Sequence, residues 1–235
     1  MLGLHGGGEY VTGDEPSMDA LMQAAIDAAA ADGLGTVPRV IVVPTAAARQ
    51  RPDAAARNGE RAFAAAAGRA GVAVEIGVVG IVSRADALDP RVTEPLAGAH
   101  LIHLPGGDPD LIPAVLRDSP AWTAMRRAYD RSAVIAGASA GAMALAGTCW
   151  TPGGPVDGLD LLPGFAILPH DGPGRLDRWR SAAPGVAWLG IGEQTLVIGR
   201  PGSSWIVAGR GRVRVIGPDG AERASAGPGE RIHLG

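Results

Sequence analysis

Lysine is absent: all 21 basic residues are arginine. That excludes chemistry built on a lysine Schiff base or a phosphate-loop lysine. Cysteine is nearly absent. A single residue, Cys149, excludes an internal disulfide framework and a cysteine-rich zinc site. No stretch reaches the ~18 uninterrupted apolar residues of a membrane helix. The opening Met-Leu-Gly-Leu-His-Gly-Gly-Gly-Glu lacks the basic segment and long apolar segment of a signal peptide, which points to a cytoplasmic enzyme. Neither sign of charge dominates: 21 basic residues face 24 acidic ones, for a net charge of −3. Scattered arginines on a mildly acidic chain argue against nucleic acid as partner.

What is present is a globular composition. Apolar residues make up 46% of the chain, and its 36 glycines and 19 prolines follow no collagen-like period. The 235 residues suit one domain, or at most one and a half, at about 150 residues per domain. Up to Leu145 the chain alternates two textures. Short apolar runs lie at Val40–Val43, Val72–Val82, His100–Leu104 and Ala133–Ala136. Between them, Ser17–Ala31, Pro52–Ala70 and Pro109–Asp130 carry a helical period, the last broken in two at Pro120. Ser17 suits a helix N-cap. Strands alternating with helices imply a mainly parallel sheet covered on both faces. After Leu145, Thr151–Gly164 reads as a loop and Arg175–Ala183 as a short helix. The strand-like runs Val186–Ile191, Thr195–Ile198, Trp205–Ala208 and Arg212–Ile216 follow. They read as an antiparallel β extension, spanning about residues 200–235, of one α/β domain covering 1–235.

Four segments carry chemistry. Gly137-Ala138-Ser139-Ala140-Gly141 follows an apolar strand and precedes a helix-compatible run, the setting of a nucleophile elbow. Small neighbours allow a tight turn, and the Ala140 N–H can face a developing oxyanion. The plainer reading is a strand-to-helix turn with a capping Ser139. A serine nucleophile needs a base. Of the five histidines, His170 ends an apolar run and opens the loop Asp171-Gly172-Pro173-Gly174. His100 and His103 bracket a core strand and read as structural, while His5 is open to either role. Glu193 lies between two apolar runs, so it is either a hairpin-tip carboxylate or one held by a partner. Finally, Gly106-Gly107-Asp108 follows the strand ending at Leu104. Glycines there let backbone N–H groups approach a ligand. Gly6-Gly7-Gly8-Glu9 has the same character and suits the same crevice.

In this order the motifs resemble the serine peptidases of the aspartyl dipeptidase (peptidase E) and cyanophycinase type, over roughly residues 2–216. The resemblance implies a three-layer α/β/α sandwich of the class I glutamine-amidotransferase-like, flavodoxin-like kind. It implies a Ser139–His170–Glu193 triad, Gly107 and Ala140 as oxyanion donors, and no metal or cofactor. Gly106, Asp108, Arg175 and Arg178 would meet a small peptide, with the two arginines favouring an acidic or aspartyl group. A homodimer is a candidate assembly. Three positions depart from the family pattern. Gly192 stands where Asp is commoner, Asp171 where Phe is usual, and Pro109 where a polar residue is typical. Two other functions compete. An α/β-hydrolase esterase shares G-x-S-x-G but would need His233 as base. A non-catalytic binding protein on the same fold is the second.

Overall fold

The computed structural model describes residues 1–33, 35–172 and 185–234. The first part alternates strand and helix: β1 (Leu2–His5), α1 (Glu15–Asp32), β2 (Arg39–Val42), α2 (Pro52–Ala70), β3 (Glu75–Val78), α3 (Arg84–Leu88), α4 (Pro90–Thr93), β4 (Leu101–Leu104), α5 (Leu111–Leu116), α6 (Pro120–Asp130), β5 (Val134–Ala138) and α7 (Ala140–Leu145). Strands dominate thereafter: β6 (Ala146–Thr151), β7 (Gly154–Asp157), β8 (Leu162–Pro169), β9 (Ala187–Ile191), β10 (Thr195–Gly199), β11 (Ser204–Gly209), β12 (Val213–Ile216), β13 (Glu222–Ala226) and β14 (Arg231–His233). The short helix expected over Arg175–Ala183 falls outside the described residues, as do Arg175 and Arg178.

Local chemistry explains the helix limits. Proline at the start of α2 and α6 costs no hydrogen bond, because the first N–H groups of a helix have no internal acceptor. The Ser119 hydroxyl accepts from Trp122 N–H at 3.1 Å and caps α6. Gly71 ends α2 in the left-handed region, φ 69°. The helix expected to start at Ser17 begins two residues earlier, behind Asp14. Ser17 is buried inside its first turn, so a residue that favours caps is here a small core residue.

The main sheet has 8 strands in the order β14-β11-β10-β1-β5-β4-β2-β3. Pairings from β3 to β1 are parallel, and β10, β11 and β14 add antiparallel strands. Successive side chains face opposite layers, as a strand period of two requires. Val40 and Val42 pack toward Met22 of α1 and Phe63 of α2, while Ile41 joins the opposite core with Ile112 and Met125. Fully burying a side chain such as Phe63 contributes about 1.5–3 kcal/mol. The result is the expected mostly parallel sheet with helices on both faces. Among the described residues no helix is long and apolar enough to cross a membrane.

A second sheet of 6 strands, β13-β12-β9-β8-β6-β7, was not foreseen. Within the supposed loop Thr151–Gly164, β7 folds back on β6 and β8 begins at Leu162. The C-terminal strands divide: β10, β11 and β14 extend the main sheet, whereas β9, β12 and β13 join the second. Alternation of apolar residues marks a strand but not the sheet it joins, which the turns decide.

Candidate active site

Ser139 sits between β5 and α7 with φ 49° and ψ −112°, a backbone conformation few side chains tolerate. Crowding explains the flanking glycines. A Cβ on Gly137 would lie 2.4 Å from the Gly141 carbonyl carbon, and one on Gly141 would lie 2.0 Å from the Leu104 oxygen. The Ser139 N–H donates to the His5 carbonyl at 2.9 Å, which ties the elbow to β1.

His170 directly follows β8, a strand of the other sheet. Its Nε2 lies 2.9 Å from Ser139 Oγ and its Nδ1 lies 2.9 Å from Glu193 Oε1. An ionised carboxylate only accepts, so the proton resides on Nδ1 and Nε2 keeps a lone pair toward the serine hydroxyl. Glu193 occupies the passage from β9 to β10, where the chain crosses between sheets. Its side chain is 66% exposed, so water screens its field on the imidazole.

Two supports fix His170. The first is the turn after β1. Gly6 oxygen accepts from the His170 N–H at 2.7 Å, and Gly7 oxygen accepts from the Gln194 N–H at 2.7 Å. Gly7 packs flat against the imidazole, where a Cβ would fall 2.1 Å from Cε1. A buried pair holds this turn in place. His5 Nε2 donates to Asp14 Oδ1 at 2.7 Å, and His5 Nδ1 accepts from the Gly7 N–H at 3.1 Å. The second support is Asp171, one of the departures from the family pattern. Both its oxygens accept from the Arg214 guanidinium of β12 at 2.7 Å, a two-pronged charge-assisted pair. Gly190 leaves room for this carboxylate, since a Cβ there would lie 2.5 Å from Asp171 Oδ2.

The loop after β4 forms the facing wall. Gly107 has φ 154°, and a Cβ on it would meet the Ala46 oxygen at 2.2 Å. Among the described residues its N–H has no acceptor, and neither has that of Ala140, the first residue of α7. Gly106 abuts the elbow, with its Cβ position 3.3 Å from Ser139 Cβ. Its N–H donates to Glu9 Oε1 at 2.8 Å. Asp108 turns away, accepting from Gln50 Nε2 at 3.0 Å.

Ser139, His170, Glu193, Gly106, Gly107 and Ala140 thus converge, and Asp108 borders them. Sequence reading missed the His5–Asp14 pair, the Glu9 contact and the Asp171–Arg214 clamp. A carboxylate directly after three glycines was a usable signal for Glu9. Nothing local links Asp171 to a residue 43 positions later.

The outlying histidines hold structure. His100 Nδ1 accepts from the Arg39 N–H at 2.9 Å, and His103 Nδ1 lies 2.7 Å from the Tyr10 hydroxyl. Burial, with a smaller contribution from His5, pushes the His103 pKa down to about 3. Burial likewise raises Tyr10 and lifts the Cys149 thiol to about 12. His233, which an α/β-hydrolase order would need as base, lies exposed on edge strand β14, and the histidine that meets Ser139 Oγ is His170.

The family model for Peptidase family S51 matches residues 11–187. The chain belongs to this family. Membership in S51 makes it a serine-type peptidase, as its motifs had suggested. The crystal structure of a peptidase from an acI-B1 Actinobacterium is similar at 26% identity and a TM-score of 0.80, over 99% of this chain and 96% of that one. A Listeria monocytogenes EGD-e protein, solved as a candidate peptidase E, shares the fold at 14% identity and a TM-score of 0.60. That match spans 88% of this S51 chain and 96% of the Listeria chain. No curated protein matches.

Proposed function

We propose that the chain hydrolyses amide bonds of small peptides with Ser139 as nucleophile, His170 as general base and Glu193 as the orienting acid. The observation that carries this reading is the unbroken line Ser139 Oγ–His170 Nε2 and His170 Nδ1–Glu193 Oε1, with both contacts 2.9 Å. Ser139 Oγ attacks the scissile carbonyl carbon as its proton passes to Nε2. The oxyanion turns toward the free N–H groups of Gly107 and Ala140. The tetrahedral adduct collapses, and the C–N bond breaks as Nε2 returns the proton to the leaving amine. Water, deprotonated by the same nitrogen, then attacks the acyl-serine ester; the C–Oγ bond breaks, Nε2 returns the proton to Ser139 Oγ, and the acid is released. Glu193 keeps the Nδ1 proton in place and faces the imidazolium while it exists.

Removing the nucleophile should cut peptide hydrolysis by several orders of magnitude. The test is Ser139→Ala, with fluorophosphonate labelling of the wild-type protein followed by peptide mapping. Label on Ser139 supports the enzyme. A folded chain that takes no label is a binding protein on this fold. Ester turnover with no amide turnover would restore the esterase reading.

A further inference from the structure

Glu9 is a carboxylate beside the nucleophile with no part in the triad. It follows the three glycines after β1. Its side chain crosses to the loop after β4, where Oε1 accepts from the N–H of Gly106, 97 residues away, at 2.8 Å. Glu9 Oε1 and Ser139 Cβ lie 2.9 and 3.3 Å from one point, the place a Cβ on Gly106 would take. A negative charge so near Ser139 opposes an oxyanion formed there. What the carboxylate supplies is an acceptor for the Gly106 N–H, in the loop that carries the Gly107 donor.

The Gly107 N–H belongs to the peptide between Gly106 and Gly107. Two glycines leave that peptide free to rotate, since neither has a Cβ to restrict φ and ψ. The peptides on either side are pinned. Before it, the Pro105 ring fixes one torsion and Glu9 holds the Gly106 N–H. After it, the Asp108 N–H donates to the Ala46 oxygen at 2.8 Å, with Gly107 packed on the same carbonyl. Glu9 itself has a firm base. The Gly7 oxygen before it accepts from the Gln194 N–H at 2.7 Å, and the Tyr10 N–H after it donates to Asp14 Oδ2 at 3.1 Å. Tyr10 also reaches β4, where its hydroxyl lies 2.7 Å from His103 Nδ1. Two side chains thus tie the turn after β1 to β4 and to the loop that β4 feeds. The same turn seats His170.

We infer that Glu9 is a positioning residue for the oxyanion hole: it holds the Gly106 N–H so that the neighbouring Gly107 N–H faces the oxyanion at Ser139. This rests on Ser139 being the nucleophile, with Gly107 and Ala140 as the donors. Deleting one such donor outright costs about 10²–10³ in turnover. Without the tether the Gly107 N–H is misaimed for part of the time, so a smaller loss of about 10–100-fold follows. Glutamine keeps an oxygen acceptor at the same reach and drops the opposing charge.

The probe is a fluorophosphonate, whose phosphoryl oxygen takes the oxyanion position as Ser139 attacks, so no natural substrate is needed. Inactivation rates and the final label stoichiometry are measured for wild type, Glu9→Ala and Glu9→Gln, and the labelled residue is mapped. Glu9→Ala should lower the maximal inactivation rate about 10–100-fold, with the half-saturating probe concentration and the shape of the pH profile unchanged. Glu9→Gln should recover the rate to within about fivefold of wild type. A merely structural role would instead lower the fraction of chains that label and leave the rate of the remainder intact, which overturns the inference. Equal losses in both variants overturn it as well, because charge and not the hydrogen bond would then matter at position 9. A wild-type chain that takes no label on Ser139 brings down the nucleophile and this inference together. That failure is distinct from one in which the wild type labels on Ser139 and Glu9→Ala labels as fast, which refutes the role of Glu9 alone.

Discussion

Gly7→Ala adds one methyl group, and its effect can be separated into parts. The new Cβ would lie 2.1 Å from His170 Cε1 and 2.7 Å from both ring nitrogens, inside any contact distance. Gly7 has φ +107°, so alanine there also pays a backbone strain of about 1–2 kcal/mol. Overpacking a closed contact adds about 1–3 kcal/mol. The total, about 2–5 kcal/mol, lowers Tm by roughly 4–20 °C for a chain of this length. The larger effect is on catalysis. The ring cannot stay where it is, so the 2.9 Å contacts to Ser139 and Glu193 are lost together. Removing a positioned base costs about 10²–10⁴ in kcat/KM. Gly8→Ala is the control. It has the same kind of positive φ, +70°, but the nearest atom to a new Cβ is Gln194 Cγ at 3.4 Å, an ordinary contact. That variant should lose about 1–2 kcal/mol of stability while keeping its turnover within about threefold. Peptide hydrolysis and thermal melting of both variants are the assay. If Gly7→Ala retains wild-type kcat/KM at a temperature where it is folded, the glycine turn does not set the position of His170.

Three further outcomes follow from the structure. Glu193→Gln should lower kcat by about 10–100-fold, less than the ~10⁴ seen for a buried triad acid, because Glu193 is largely exposed; a loss beyond 10³ would show that its field is not screened. His103 stays neutral in the fold down to about pH 3, whereas the unfolded chain takes up the proton near pH 6.5. Its neutral state therefore lends full stability above pH 6.5, and this is lost as pH falls toward 3 at up to about 1.4 kcal/mol per unit. Urea titrations across that range should show the slope, and His103→Gln should flatten it. Cys149 is buried with its thiol near pKa 12, so iodoacetamide at pH 8 should modify it only after unfolding, as mass spectrometry would register.

The βα half of the fold and the elbow were legible because local chemistry dictates them. Gly137 and Gly141 are small for reasons a tight turn already implies, and Pro120 does divide two helices. The convergence of Ser139, His170 and Glu193 was readable through family resemblance, since no spacing rule places His170 beside Ser139. The second sheet was not legible. β6 and β7 are joined through Pro152 and glycines that also read as a loop, and the register of β12 against β9 is a long-range choice. His5 stayed ambiguous for a related reason: its partner Asp14 lies in a turn whose path depends on Tyr10 at φ 67°. Asp171 looked like a flaw in the pattern. Paired with Arg214, it is a replacement anchor that only the tertiary structure reveals.

Ser139 belongs to one sheet and His170 follows a strand of the other, while Glu193 lies in one of the connections that cross between them. Catalytic competence is therefore a gauge of how the two sheets are docked, sensitive to a slip of about 1 Å that would leave each sheet's own ladders intact. Turnover should fail at lower denaturant concentrations than circular dichroism detects, because the seam opens before either sheet melts. Drift in the smaller sheet can also retune activity without altering a single atom of the elbow. A substitution in β12 or β9 reaches Ser139 only through the angle at which it presents the imidazole.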